Sequence, residues 1–152
     1  PYPGTVPAAR EGAISGIKSI ALSQVYAREG MGDAVPFAAA RAWGEKVLRP
    51  LIAMPASPRL LFNVNFPAIE PEAVTGIRVV RQGFHDVDRT RIVEGTDPRG
   101  YRYYWFGLGS SSAVPEGSDL AAIAEGHVTV TPLHYDLTQD SAMAATARLF
   151  EE

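Results

Sequence analysis

Two stretches of this chain place a helix-forming segment directly before a short, strand-like run. The first is the alanine-rich segment 5–15, which Gly16 separates from the apolar run 17–23. The second is 35–52, with apolar residues at helical spacing, followed by proline breakers at 54–58 and the run 60–66. Helices that alternate with mostly buried strands are typical of layers in which helices cover a sheet. The order of these segments therefore predicts an α/β fold.

Local signals predict where these elements begin and end. Thr5 is the predicted N-cap of the first helix, and Pro7 falls in its first turn, where a missing N–H costs little. Gly16 is the predicted stop of that helix. We expect Pro50 to lie in the last turn of the second helix and Pro67 to end the strand that follows.

The second half of the chain contains a predicted β-hairpin over 89–106. Its turn is Asp97-Pro98-Arg99-Gly100, which has residue types that a type I turn prefers at its first, second and fourth positions. The predicted pairs are Thr96 with Tyr101, Glu94 with Tyr103, and Ile92 with Trp105. Both faces of this ribbon carry bulky side chains, and such a ribbon is not stable alone in water. We therefore expect it to pack on a partner subunit.

The remaining segments predict shorter elements. These are a loop at 24–34, a β-run at 77–82, a Gly/Ser loop at 107–117, a short helix capped by Asp119, a strand at 127–133, and a C-terminal helix at 141–150 capped by Thr138 or Asp140. They continue the alternation of the first half.

Composition limits the classes of function. The 152 residues suffice for one domain with a real core, and 46% hydrophobic and 20% charged residues are ordinary for a globular protein. The net charge of −3 argues against a general nucleic-acid or membrane-surface binder. Because cysteine is absent, disulfides and thiolate metal sites are excluded. No apolar run reaches the length of a membrane span, so we expect a cytoplasmic protein, and the start at Pro1 suggests a fragment or a processed product.

The chain contains no self-sufficient catalytic motif. His85, His127 and His134 lack metal-ligand spacing, and neither a Gly-x-Ser-x-Gly nucleophile nor a phosphate-loop motif occurs. His134 is either a histidine bonded to local backbone or an acid or hinge contact. Asn63 and Asn65, which share one face of a predicted strand, either line a site or tie down a loop.

Arginines interleave with aromatic residues in the middle of the chain. They are Arg78, Arg81, Arg89, Arg91, Arg99 and Arg102. RNA-binding platforms share this pattern with oligomerisation arms whose ion pairs cross between subunits. The acidic residues between the arginines and the acidic chain as a whole favour the arm.

The opening stretch, PYPGTVPAAREG, is the best functional candidate. Free N–H groups and the positive dipole end at a helix start attract phosphate. Gly4 permits close approach of a ligand, and Thr5 adds a hydroxyl group.

Taken together, these segments resemble the SurE family of metal-dependent nucleotidases. The first matching stretches are Tyr2-Pro3-Gly4-Thr5-Val6 with Ala8, Ala9, Glu11 and Gly12; Phe62-Asn63-Val64-Asn65-Phe66-Pro67; and Gly76-Ile77-Arg78-Val79 with Arg81-Gln82. The later ones are Asp97-Pro98-Arg99-Gly100 through Tyr103-Tyr104-Trp105; Gly117-Ser118-Asp119; and Val128-Thr129-Val130-Thr131-Pro132-Leu133-His134 with Asp136-Leu137-Thr138. They span nearly the whole chain in the family's order.

The resemblance implies a 5'-nucleotidase that releases phosphate from nucleoside monophosphates, with some action on polyphosphate. It implies that 1–152 is a single, incomplete domain, the C-terminal larger part of a Rossmann-like α/β domain. A β-hairpin arm at 77–107 and a C-terminal helix at 138–152 then join subunits into a homodimer or homotetramer. The arm residues are Tyr101, Tyr103 and Trp105. The alternative is a non-catalytic oligomerisation module.

The resemblance also implies a divalent metal ion, magnesium or manganese. In the family an Asp-Asp pair, a Ser and an Asn hold this ion, and all four precede the Gly-Thr helix start. We therefore expect the metal ligands to lie upstream of Pro1, and this chain by itself to hydrolyse nothing. Gly4 and Thr5 remain as the phosphate-binding edge, and no catalytic residue is assigned, with His134 only a candidate. The family usually has Ser at the position of Pro3, so Thr5 is the hydroxyl that this edge retains.

Overall fold

The computed structural model describes residues 4–25, 37–55, 57–84, 90–108 and 114–151. The first half contains α1 (Thr5–Ile14), β1 (Ser19–Gln24), α2 (Ala38–Ala53), β2 (Leu60–Phe66) and a 3-10 turn (Pro71–Ala73). The second half contains β3 (Gly76–Val79), β4 (Thr90–Thr96), β5 (Arg102–Leu108), α3 (Asp119–Ala124), β6 (His127–His134) and α4 (Asp140–Ala147), which a 3-10 turn (Arg148–Phe150) extends. Pro3, His85, Arg89, most of the predicted loop at 24–34 and the middle of the predicted loop at 107–117 lie outside the described residues.

Four strands form the main sheet in the order β1-β2-β6-β3. β1 and β2 run parallel, β6 is antiparallel to β2, and β3 is parallel to β6. A short turn joins α1 to β1, so α1 runs back along the strand that follows it. The start of α1 therefore lies at the edge where β1 and β2 end.

The two faces of β2 carry two separate cores. Phe62, Val64 and Phe66 pack against the buried side of α2. Leu61, on the opposite face, packs with Ala21 beneath α1. Alternation along one strand thus holds helices on both sides of the sheet, as the α/β prediction requires.

The strand prediction for 60–66 and the position of Pro50 in the last turn of α2 are confirmed. Gly16 follows α1 with φ +76°, a left-handed conformation that glycine adopts readily, so its role in ending the helix is also confirmed. The predicted cap at Thr5 is wrong. Ala8 N–H donates to the Gly4 carbonyl at 2.9 Å, which makes Gly4 the N-cap and Thr5 the first helical residue.

Two further caps were assigned to the wrong residue. Ser118, not Asp119, caps α3, because its Oγ accepts the Ala121 N–H at 3.2 Å. Asp119 is the first residue of α3 instead, and its Oδ1 accepts the Gly83 N–H at 2.7 Å. Gln139 precedes α4 without a side-chain cap among the described residues, so neither Thr138 nor Asp140 fills that role.

The β4–β5 hairpin exists, but its predicted register is wrong by one residue. Thr96 pairs with Arg102, Glu94 with Tyr104, and Ile92 with Phe106. Gly100 takes φ +87° after the type I turn, and Asp97 N–H donates to the Tyr101 carbonyl at 2.9 Å. Asp97 Oδ1 also accepts the N–H groups of Arg99 and Tyr101, at 2.8 and 2.9 Å. This larger loop with a glycine bulge places Tyr101 opposite Asp97 and shifts every later pair.

One face of the hairpin is an exposed aromatic surface. Tyr103 and Trp105 meet edge to face, with ring centroids 6.3 Å apart. The Tyr103 ring lies over Gly95, where a Cβ atom would fall 2.4 Å from it. Trp105 is 66% exposed, so the ribbon presents bulky apolar groups to solvent. Within the described residues β4 and β5 pair only with each other, whereas β3, which the predicted arm range 77–107 includes, belongs to the main sheet.

Strand β3 leaves β6 soon after the two have paired. Val80 N–H donates to the Val130 carbonyl at 3.0 Å, but the next β6 residue turned to that side is Pro132, which has no N–H. Arg81 bridges to Ser118 instead, at the start of α3. The proline thus sets the length of the β3–β6 ladder.

Arg59, directly before β2, has an unusual backbone conformation for a residue with a side chain. Its φ is +66°, and its guanidinium pairs with Asp136 at 3.1 Å. Hydrogen bonds from the Thr138 side chain and backbone N–H lower the pKa of Asp136, and the charges of Arg59 and His134 lower it further. Asp136 therefore stays ionised beside Arg59 at neutral pH.

We expect Arg59→Gly to be more stable than Arg59→Ala by about 1 kcal/mol, because only the alanine keeps the Cβ atom that disfavours a left-handed residue. Both variants remove the same exposed ion pair, so their difference isolates the backbone effect. Urea denaturation of the two variants measures it. An alanine variant at least as stable as the glycine variant would contradict the assigned strain.

Candidate phosphate-binding site

The start of α1 carries polar hydrogens without helical partners. Ala8 is the first residue whose N–H bonds back into the helix, so the N–H groups of Thr5 and Val6 have no intrahelical acceptor. Pro7 has no N–H to offer. The first turn contains no acidic side chain, so the positive end of the helix dipole is not neutralised within that turn. Within the described residues, two N–H groups and the Thr5 hydroxyl therefore have no hydrogen-bond partner that would compete with an anion.

Gly4 leaves this helix start open. Its φ of −63° is one that any residue adopts, so the backbone does not require glycine here. A Cβ atom at Gly4 would meet nothing within 4 Å in the described part of the chain. Gly4 and Thr5 are both exposed. The missing side chain thus keeps a ligand's approach clear.

Gln24 is a polar residue at the same end of the sheet, where β1 and β2 finish. The sequence analysis did not identify it as a candidate. Gln24 ends β1, and its Nε2 donates to the Pro67 carbonyl at 2.8 Å, which joins the ends of β1 and β2. Its Oε1 is buried and has no hydrogen-bond partner among the described residues. The sequence feature that could have indicated Gln24 is a polar side chain at the end of a mostly buried strand, followed by an apolar residue. Gln24 thus links the ends of β1 and β2, at the end of the sheet where α1 begins.

Asn63 and Asn65 lie on the face of β2 that α1 covers, but they tie down no described loop. Asn65 Nδ2 lies 3.5 Å from Thr129 Oγ1 on the neighbouring strand, at the long limit of a hydrogen bond. Asn63 is paired with Thr131, whose Oγ1 is buried and unpartnered among the described residues. The two asparagines thus contribute to a polar strip within the sheet.

The structure separates His134 from Gly4 and Thr5. His134 ends β6 and pairs with Leu60, the first residue of β2, whereas α1 begins where β2 ends. β6 has 8 residues, so its ends are roughly 23 Å apart. An acid role for His134 at the α1 start is therefore not supported by its position.

His127, at the other end of β6, has a more enclosed side chain. It is 13% exposed and lies 4.0 Å from Glu125 Oε2, which accepts from Arg78 Nη1 at 2.6 Å. Its Nδ1 is buried without a hydrogen bond to the described residues. This cluster holds the corner between α3 and β6.

Two arginines of the middle region form ion pairs among the described residues. Arg78 pairs with Glu125, and Arg102 pairs with Glu94 across the hairpin at 3.4 Å. Tyr101, Tyr103 and Trp105 remain exposed beside them.

The described residues do not fit a divalent metal ion. Across 4–25, 37–55, 57–84, 90–108 and 114–151, no three histidine, aspartate or glutamate side chains gather where they could hold one.

Nor does any helix in those ranges have the length and apolar character needed to cross a bilayer.

Comparison with known proteins gives consistent matches. A family model described as "Survival protein SurE" matches residues 1–89. A protein of Rhizorhabdus wittichii named 5'-nucleotidase SurE is 61% identical over 150 residues, covering 98% of this chain and 59% of the relative. Another of that name, from Erythrobacter litoralis, is 52% identical over 151 residues, covering 99% of this chain and 59% of its own length. This chain thus spans a little under three-fifths of these relatives.

A solved structure extends the match to the fold. The crystal structure of the SurE protein from Aquifex aeolicus superposes with a TM-score of 0.73 at 33% identity, covering 97% of this chain and 58% of that one. The Rossmann-like α/β fold expected from the sequence is therefore confirmed. The family model covers more than half of the chain, and the fold agrees with it. The chain belongs to the SurE family.

Proposed function

We propose that this chain forms part of a 5'-nucleotidase, which hydrolyses nucleoside monophosphates to nucleoside and phosphate and also acts on polyphosphate. Relatives 61% and 52% identical to it carry the name 5'-nucleotidase SurE. The observation that carries the proposal is the open start of α1, where the Thr5 and Val6 N–H groups lack helical partners. We propose the cytoplasm as its location.

In this proposal the start of α1 holds the substrate's phosphate. The N–H groups of Thr5 and Val6 and the Thr5 hydroxyl donate to phosphate oxygens, and Gly4 keeps the approach clear. These groups bind and orient the phosphoryl group, which restricts the directions open to an attacking nucleophile. The ligands of the divalent ion, magnesium or manganese, are proposed to lie upstream of Pro1, and none is assigned to a residue of this chain.

The full chain is expected to bind inorganic phosphate and to hydrolyse nothing. Phosphate should shift the backbone amide resonances of Thr5 and Val6 in a titration followed by NMR. Thr5→Val should weaken binding about fivefold, the effect of losing one hydrogen bond of roughly 1 kcal/mol. Thr96→Val, at an exposed threonine of β4, is the matched control and should leave binding unchanged.

Turnover is measured in the same preparations with p-nitrophenyl phosphate and a nucleotide panel in the presence of manganese. Hydrolysis that a chelator blocks would overturn the placement of the metal ligands upstream of Pro1. Titration without any shift at Thr5 or Val6 would overturn the phosphate site itself. The two parts of the proposal can therefore fail separately.

A second candidate is a non-catalytic oligomerisation module, which the exposed aromatic face of the hairpin favours. In both candidates we propose that the hairpin arm and the C-terminal helix join subunits into a homodimer or homotetramer. The candidates differ in phosphate binding, because an assembly module gives no reason for shifts at Thr5 and Val6. The NMR titration thus discriminates between them.

A further inference from the structure

A cavity of about 310 Å³ lies at the edge of the sheet where β1 and β2 begin. It is lined by the end of α1, the residues before β1, the segment after α2 and the first residues of β2. Its volume is at the lower end of the range for small-molecule sites. Gly16, which lines the cavity, follows α1, whereas Gly4 precedes it, so about 15 Å of helix separates the cavity from the proposed phosphate site.

Most of the cavity wall is apolar. Its apolar side chains are Ala13, Ile17, Pro55, Pro58, Leu60 and Phe62. The proline rings fix the φ angles of two of these residues. Ala13 and Phe62 belong to the two cores on opposite faces of the sheet, which restricts their movement. The wall is therefore formed before a ligand enters, and it can remove the apolar part of a ligand from water.

The two charged side chains that line the cavity are both basic. Lys18 donates from Nζ to the carbonyls of Ile52 and Met54 at the end of α2. These carbonyls have no formal charge, and within the described residues no acidic side chain pairs with Lys18. Arg59 is the second basic residue, but Asp136 neutralises its guanidinium at 3.1 Å. The cavity therefore has one positive charge in excess.

We propose that this cavity binds a small monocarboxylate with an apolar body. The ammonium of Lys18 has three N–H groups, so it can donate to the carboxylate as well as to the two carbonyls. The apolar body lies against the prolines and Phe62. A single excess positive charge matches a monoanion, whereas a phosphate monoester has close to two negative charges, one of which would be left unpaired beside an apolar wall. The ligand class is thus distinct from the proposed nucleotide substrate.

An NMR titration of the full chain with 2-naphthoate tests the site, and 2-naphthamide is the uncharged probe of the same shape. 2-Naphthoate should shift the backbone amide resonances of Ile17, Lys18, Arg59 and Leu60. 2-Naphthamide should shift the same resonances but bind about tenfold more weakly, because it cannot form a charge-assisted hydrogen bond with Lys18.

Lys18→Met keeps a long unbranched side chain without its charge. It should weaken the binding of 2-naphthoate about tenfold and leave that of 2-naphthamide unchanged. Lys46→Met is the matched control, because it makes the same change at the other lysine of the chain, which is exposed on α2 and does not line the cavity. This control should bind both probes as the parent chain does.

Ile17→Asp is a second variant, needed because Lys18 also bonds to the end of α2. Ile17 is 64% exposed, so the substitution removes no core contact. The introduced carboxylate should repel 2-naphthoate and weaken its binding more than that of 2-naphthamide.

Equal affinities of the two probes for the parent chain would overturn the proposal, as would equal effects of the two lysine variants. Shifts from 2-naphthoate confined to the start of α1 or to the aromatic face of the hairpin would also overturn it, and so would unchanged affinity in Ile17→Asp. None of these readouts measures hydrolysis or phosphate binding, so the nucleotidase proposal can fail or stand independently.

Discussion

Phe62→Ala is expected to lower the free energy of unfolding by about 3–5 kcal/mol, the range for removing a buried aromatic ring. Phe62 is 5% exposed and lies on the central strand β2, in the core shared with α2. Domains of this size are stabilised by only about 5–15 kcal/mol, so the variant should unfold at a far lower urea concentration.

The matched control is Phe84→Ala, which removes the same atoms from a residue 77% exposed. Its effect should remain within about 0.5 kcal/mol. Urea denaturation followed by circular dichroism gives both values. A loss below 1 kcal/mol at Phe62, or equal losses at both sites, would contradict the core around β2.

The second large effect is expected in the hairpin, where Tyr103→Glu combined with Trp105→Arg should convert oligomers to monomers. Both side chains lie on one face, since the two residues are two positions apart on β5 and their rings meet edge to face. Two charges on that face would be buried without water on assembly, which is strongly unfavourable. Size-exclusion chromatography with light scattering measures the molar mass.

A control for the hairpin variant introduces the same two charges elsewhere. Ile14→Glu with Ile17→Arg alters two exposed apolar residues, one at the end of α1 and one just after it, and should keep the parent mass. Retention of the parent mass by the hairpin variant would refute the role of the arm. Monomers from both variants would point to a general effect of surface charge instead.

Elements with strong local signals were predictable from the sequence. The limits of β2 follow from a run of apolar residues between a proline-rich breaker and Pro67. Gly16 was recognised because glycine readily takes the left-handed conformation that ends a helix. No local signal predicts the order β1-β2-β6-β3, because the 60 residues from 67 to 126 separate β2 from β6.

The errors in the hairpin register and in the cap of α1 arose where the same residues suit two different local conformations. For the hairpin, the same four turn residues suit both a simple type I turn and a turn with a glycine bulge, and the Asp97 carboxylate favours the latter. At the start of α1, Thr5 has the right chemistry for a cap, but the Gly4 carbonyl makes the first bond. The sequence does not point to Gln24, because the burial of its Oε1 depends on packing between strands distant in sequence.

The proline that ends the β3–β6 ladder has a consequence for behaviour at high concentration. Beyond Val130, the backbone groups of β6 that point towards β3 no longer pair with that strand. At Pro132 these groups include a carbonyl but no N–H donor. A free edge with both groups can template the addition of strands from other molecules and start aggregation. Pro132 removes one donor from this border of the sheet, which makes the border a poorer template for added strands than an edge with every N–H present.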